Sequence, residues 1–219
     1  MQSRTLYLVR HGALIADERG RFLGQLDVPL SERGIAQAYA LRDRCRQVPI
    51  TAIFCSDLCR CRETAEILAS DTAIETFPRW DLREVSLGLW DGCTLADIAR
   101  RHPREFKERG EDIVNFRPPG GESFADCRIR VLAAVDEILA SSSGEILIVA
   151  HAGVNRLILC EALGIPISNL FRIGQEYGCL NVLEQTSSGY RVKLVNFTPQ
   201  NALLESERFV FNAEPVPVG

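Results

Sequence analysis

Histidine, long apolar runs and segregated charge are all scarce in this chain. Among 219 residues there are three histidines, His11, His102 and His151. No stretch approaches the roughly 18 continuous apolar residues of a membrane-spanning helix. The apolar run near the N-terminus is too short for a signal peptide and is followed by charge, so a cytoplasmic protein with no membrane partner is expected. Basic residues interleave with Asp and Glu at a net charge of -4, which excludes the electrostatic footprint of a nucleic-acid binder. Internal repeats and interdomain linkers are absent, so a single domain over residues 1–219 is expected, with about 198–219 as a surface tail.

Cysteine is plentiful, at eight residues, but the spacing that would give it a structural role is missing. A disulfide framework suits short secreted chains, and this one is long and irregularly spaced, so reduced and mostly buried thiols are expected. Cys55, Cys59 and Cys61 cluster near a helix start without a paired CxxC or a nearby histidine. Neither a metal site nor a cofactor is expected.

What is present is a real core, at 46% hydrophobic residues, and an alternation of strands and helices. "TLYLVR", "AIFCS" and "ILIVAH" read as strands, and "ALRDRC", "ETAEILAS", "CRIRVLAAVDEILA" and "GVNRLILCEAL" as pieces of the helices that follow. Strand-then-helix repetition predicts an α/β three-layer sandwich, with a mostly parallel central sheet and helices on both faces. "GCLNVLEQT" and "YRVKLVNF" alternate around Ser187-Ser188-Gly189, which adds an antiparallel C-terminal strand pair. Ser31, Ser56-Asp57 and Glu122-Ser123 are placed to cap helices.

Ligands of open α/β sheets gather beyond the carboxyl ends of the strands. His11, in "VRHG", and His151, in "VAHAG", both fall there, each trailed within two residues by a glycine whose N-H can approach an anion. A lone histidine at a strand end is usually incidental; two in equivalent positions point to one site. Arg10 adjoins His11, Arg60 opens the helix after "IFCSD", and Arg156 lies one turn past His151. Guanidinium forks match phosphate oxygens, so these residues describe a phosphoryl pocket better than a carboxylate or metal site. On residues alone, Arg62 competes with Arg60, and a solvated helix position remains open for either. The acid of the site is equally open among Asp81, Glu84, Asp91 and Glu122.

"LVRHG", "GQLDVPLSERGIAQA", "CSDLCRCRETAEIL", "LREVSLGLWDG", "PPGGESF" and "IVAHAGVNR" occur in order over about two hundred residues and together resemble the histidine phosphatase superfamily, the phosphoglycerate mutase-like proteins. The resemblance implies His11 as a nucleophile that forms phosphohistidine, with Arg10, Arg60 and His151 holding the phosphate. It implies Glu84 as the group that protonates the leaving alkoxide and then activates water. Gly24 and Gln25 are implied as phosphate or substrate donors, and Gly12 as the point where backbone passes close. Asp17 stands where the family commonly has a phosphate-contacting asparagine, and an aspartate would repel the phosphate unless protonated or turned away.

A metal-independent phosphomonoesterase acting on a small phosphorylated metabolite is the expected function. The short span from Glu84 to His151 and "PPGGESF" favour it over a cofactor-dependent phosphoglycerate mutase. Retention of His11 and Glu84 disfavours a catalytically dead binding module. "GQLDVPLSERG" and "PPGGES" resemble the α-ribazole phosphatases within the family, which makes α-ribazole 5′-phosphate a candidate ester beside sugar phosphates and nucleotides. Residues 93 to 120, with Phe106, Arg109 and Phe116, are expected to wall the leaving group, and His102 to be a surface helix residue. The sequence leaves the oligomeric state open, a homodimer included.

Overall fold

The apolar strand that delivers His11 lies inside a six-stranded sheet. The computed structural model describes residues 4–15, 21–187 and 189–199. Its strands are β1 (Arg4–Arg10), β2 (Ile50–Ser56), β3 (Thr76–Arg79), β4 (Glu145–Ala150), β5 (Leu180–Thr186) and β6 (Gly189–Phe197), in spatial order β3-β2-β4-β1-β5-β6. β1 pairs parallel to β4, β4 to β2 and β2 to β3, whereas β5 and β6 run antiparallel. The expected mixed sheet is the observed one.

The helices are α1 (Glu32–Cys45), α2 (Cys59–Ala69), α3 (Leu95–Arg101), α4 (Pro103–Glu111), α5 (Phe124–Ser141) and α6 (Ala152–Leu163). Alternation along the strands sends Leu6, Leu8, Phe54, Ile146 and Ile148 into a core with α5 and α6, and Val9, Ile53, Cys55, Leu147 and Val149 into a second core with α1 and α2. Residues 146–150 of β4 are fully buried, which is why this strand reads as one apolar run and not as an alternation. Each buried Ile, Leu or Val there contributes roughly 1.5–3 kcal/mol relative to exposure.

Ser31 caps α1 by accepting from Gly34 N, and Ser123 forms a capping box with Asp126 at the start of α5. The expected cap from Ser56-Asp57 is corrected. Leu58 occupies the N-cap of α2 without a side-chain bond, Ser56 Oγ accepts from Leu58 N, and Asp57 pairs with Arg83 at 2.7 Å. The first turn of α2 takes an acceptor from a distant loop instead, since Cys59 N donates to Asp27 Oδ1 at 2.7 Å.

Six of the eight cysteines are buried, all eight are free thiols, and Cys59 and Cys93 are half-buried. His102 is exposed, at the junction of α3 and α4 and not within a helix. Asp17 lies outside the described residues, as does the expected tail beyond residue 199. Among the described residues no helix is long and apolar enough to cross a membrane.

Candidate active site

β1 and β4 are neighbours with Arg10 opposite Ala150, so the next residue of each chain segment, His11 and His151, emerges at the same carboxyl end of the parallel strands. His11 N donates to Ala150 O at 3.1 Å, and the two imidazole centroids are 5.2 Å apart. A cavity of about 270 Å³ opens over them, lined also by Arg10, Arg60 and Glu84. Gly12 is where backbone passes backbone: a Cβ there would sit 2.4 Å from Gly34 O in the first turn of α1. The loop after His11 is thereby pressed against α1, with Ala13 N donating to Gln37 Oε1 and Ala13 O accepting from Ser31 N.

Hydrogen bonding fixes the tautomer of each ring. His11 Nδ1 lies 2.8 Å from Gly12 O, and a carbonyl only accepts, so Nδ1 carries the proton and Nε2 keeps its lone pair. For His151 the logic reverses. Arg60 Nε donates to His151 Nδ1 at 3.2 Å, a guanidinium only donates, and the proton therefore sits on Nε2 of the neutral ring. Burial, then the charges of Arg10 and Arg60, hold His11 well below the usual imidazole range. Burial, then Arg60, does the same to His151. The site thus presents one imidazole lone pair and one imidazole N-H.

Arg60 is buried and lines the cavity, with Nη1 donating to Leu26 O and Nη2 to Gly24 O; Arg62 on the same helix is exposed. Arg10 lies 3.7 Å from the centre of the Tyr177 ring and donates to Gln175 O at 2.5 Å, while its buried Nε has no partner among the described residues. Gln175 is itself locked in a buried amide cluster. Its Nε2 donates to Asn181 Oδ1 at 2.7 Å, and its Oε1 accepts from Asn155 and Asn181, both at 3.1 Å. Asn181 also donates to Leu8 O, which ties the cluster back to β1.

Among the four carboxylates the sequence left open, Glu84 alone lines the cavity. Asp81 pairs with Arg79, Glu122 pairs with Arg130, and Asp91 accepts from Gln25 N and Leu87 N. Glu84 Oε2 accepts from Gly153 N at 3.0 Å and Oε1 from Val85 N at 3.0 Å. Arg130 holds the same segment by donating to Asp81 O and Arg83 O.

Several expected contacts fall elsewhere. Gln25 Nε2 donates to Glu84 O at 2.9 Å, which supports the Glu84 segment, and Gln25 does not line the cavity. Gly24 does line the cavity, in a left-handed conformation where a Cβ would collide with Asp91, and its carbonyl anchors Arg60. The glycine N-H groups expected to face an anion are engaged within the protein, Gly12 N by Thr64 Oγ1 and Gly153 N by Glu84. From 93 to 120 only Arg109 reaches the cavity; Phe116 stacks on Trp90, and Phe106 packs against the core. Sequence reasoning missed Tyr177 and Gln175, which follow no recognisable motif. Among the described residues, no group of three or more His, Cys, Asp or Glu is placed to hold a metal.

A family model described as histidine phosphatase superfamily (branch 1) matches residues 6–198. The adenosylcobalamin/α-ribazole phosphatase of Salmonella typhimurium is 29% identical over 192 residues, covering 87% of this chain and 95% of that protein. The crystal structure of the α-ribazole phosphatase from Shigella flexneri superposes with a TM-score of 0.82 at 26% identity, covering 88% of this chain and 96% of the other. A mycobacterial glucosyl-3-phosphoglycerate phosphatase does so with a TM-score of 0.82 at 28% identity, covering 90% and 100%.

Proposed function

This chain belongs to the histidine phosphatase superfamily and is a phosphatase, and from that premise we propose that it hydrolyses phosphate monoesters of small metabolites, without a metal, through phosphohistidine on His11. The observation that carries the reading is the pair of opposite tautomers: a lone pair on His11 Nε2 and a proton on His151 Nε2, above one cavity. His11 Nε2 attacks phosphorus, the N-P bond forms as the ester P-O bond breaks, and Glu84 gives its proton to the departing oxygen. Water then attacks phosphorus, Glu84 takes back a proton, the N-P bond breaks and inorganic phosphate leaves. Arg10, Arg60 and His151 supply the positive charge and donors that the three equatorial oxygens need in both transition states, the work a metal ion does elsewhere.

The names of the relatives suggest candidate esters: α-ribazole 5′-phosphate, in line with the motif resemblance, and glucosyl-3-phosphoglycerate. The test is phosphate release from these and from sugar phosphates and nucleoside monophosphates, with chelator present, by wild type and His11→Ala. Release by wild type alone supports the reading. Chelator-sensitive release, activity of His11→Ala within about tenfold of wild type, or phosphate migration on phosphoglycerate without release would overturn it.

A further inference from the structure

Glu84 sits in a stretch, residues 83–87, that belongs to no helix or strand. Its backbone has no ladder to fix it, so the polar groups it takes out of water need partners from elsewhere. Two side chains supply them on both sides of Glu84. Arg130, on α5 beside buried Cys127 and Val131, donates Nη1 to Asp81 O at 2.7 Å and to Arg83 O at 3.1 Å, just ahead of Glu84. Its Nε and Nη2 grip Glu122 as a fork, at 2.9 and 2.8 Å, and Nη2 also donates to Cys127 Sγ at 3.4 Å. Every N-H of the guanidinium is thereby used. Glu122 carries the hold past Glu84: its Oε2 accepts from Ser86 N at 3.0 Å, and its own N-H donates to Ser86 O at 2.8 Å. The "PPGGESF" loop can come this close because a Cβ on Gly121 would stand 2.5 Å from Ser86 O.

Neither Arg130 nor Glu122 lines the cavity, so the phosphoryl chemistry leaves the pair unexplained. Stability does not explain it either. The two side chains are only 12% and 24% exposed, and desolvating both charges offsets most of their attraction, so apolar side chains of similar volume often serve as well. What apolar side chains cannot supply is direction. A planar fork that bonds a carboxylate on one edge and two carbonyls on another fixes three chain segments relative to each other. The charge of Glu84 is also felt there: burial works against the Arg130 guanidinium, and Glu122 first, with Glu84 among the remaining charges, holds its pKa above the ordinary value.

We infer that the Arg130–Glu122 pair is a positioning device for proton transfer, setting where the Glu84 carboxyl stands relative to the leaving oxygen without touching the substrate. This rests on the reading of Glu84 as the acid. A carboxyl displaced by about 1 Å loses on the order of a hundredfold in rate. The loss falls on the step that needs the proton and spares the phosphate pocket, because Arg10, Arg60 and His151 stand on β1, on α2 and at the start of α6.

Arg130→Met strands Glu122 as a buried unpaired charge and is expected to lower Tm by roughly 10 °C. Arg130→Met combined with Glu122→Leu removes both charges and is expected to recover most of that Tm without recovering proton transfer. In this double variant kcat/KM for glycerol 3-phosphate should fall by about thirtyfold to a hundredfold, kcat/KM for p-nitrophenyl phosphate by no more than about threefold, and the competitive Ki of inorganic phosphate should stay within about twofold. Arg130→Lys, which keeps the charge without the fork, is expected to lie between the double variant and wild type. In a Glu84→Gln background the double substitution is expected to add no further loss on glycerol 3-phosphate, because a positioning role acts only through the group it positions. Equal losses on the two esters in the double variant or, should its Tm not recover, in Arg130→Lys, overturn the inference, as does an additive loss in the Glu84→Gln background. Equal losses in Glu84→Gln itself overturn the reading of Glu84 and the inference with it, whereas a contrast there and none in the double variant overturns the inference alone.

Discussion

Adding one methyl group at Gly153 should disarm Glu84 while leaving the fold at least as stable. Gly153 lies in the first turn of α6, its N-H donates to Glu84 Oε2 at 3.0 Å, and a Cβ built on it would stand 2.3 Å from Glu84 Oε1. Ordinary contact begins at 3.4 Å, so Gly153→Ala pushes the carboxyl back by about 1 Å, a misplacement that costs on the order of a hundredfold in rate. Alanine meanwhile favours a helix over glycine by about 1 kcal/mol, so stability should hold or rise. The assay is kcat/KM for glycerol 3-phosphate and for p-nitrophenyl phosphate, together with thermal unfolding. An alkyl ester needs a proton on its leaving oxygen and an aryl ester hardly does, so the loss should be about a hundredfold on the first and a few-fold on the second. Glu84→Gln should show the same contrast, at least as large. Alkyl activity within about threefold of wild type, or equal losses on both esters, would refute the placement of Glu84 as the acid.

Two further outcomes follow from burial. His11 and His151 have depressed pKa values in the folded state, so the unfolded chain binds more protons below about pH 6.5. Their contribution to stability is complete above that pH and declines as the pH falls, and His151→Gln should flatten the drop in Tm between about pH 7 and pH 5; an identical slope would contradict it. Asn181→Leu removes partners from Gln175, Leu8 O and Asn196 N in a buried cluster, and should lower Tm by roughly 5–10 °C. It should also raise KM through Arg10, whose guanidinium rests on Gln175 O; an unchanged Tm would show the cluster to be dispensable.

Among the described residues, five of the six strands, four of the six α-helices and the His11–His151 pair were legible because each rests on a local pattern. β1, β2 and β4 are apolar runs with helices after them, and both histidines sit at the ends of parallel strands. What escaped depends on contacts between residues distant in sequence. β3 has four residues and a proline, too short for an alternation to register. α4 has no buried residue and hence no apolar stripe strong enough to mark it. The cap of α2 comes from Asp27, and Arg10 is fixed by Gln175 and Tyr177, all at spacings that no helix or strand period encodes. Gln25 shows the same limit from the other side. The motif put it near the site, but only the fold could turn its amide toward the Glu84 backbone.

The central claim is that the phosphoryl group passes through His11, and Glu84→Gln with p-nitrophenyl phosphate tests it most directly. The aryl leaving group needs little protonation, so the first step proceeds, whereas hydrolysis of phosphohistidine lacks its base and stalls. The account predicts a burst of p-nitrophenolate equal to the enzyme present and, after an alkaline quench, a phosphoryl mass increment on the peptide that carries His11. No burst, or a phosphoryl group found on any other residue, would contradict it.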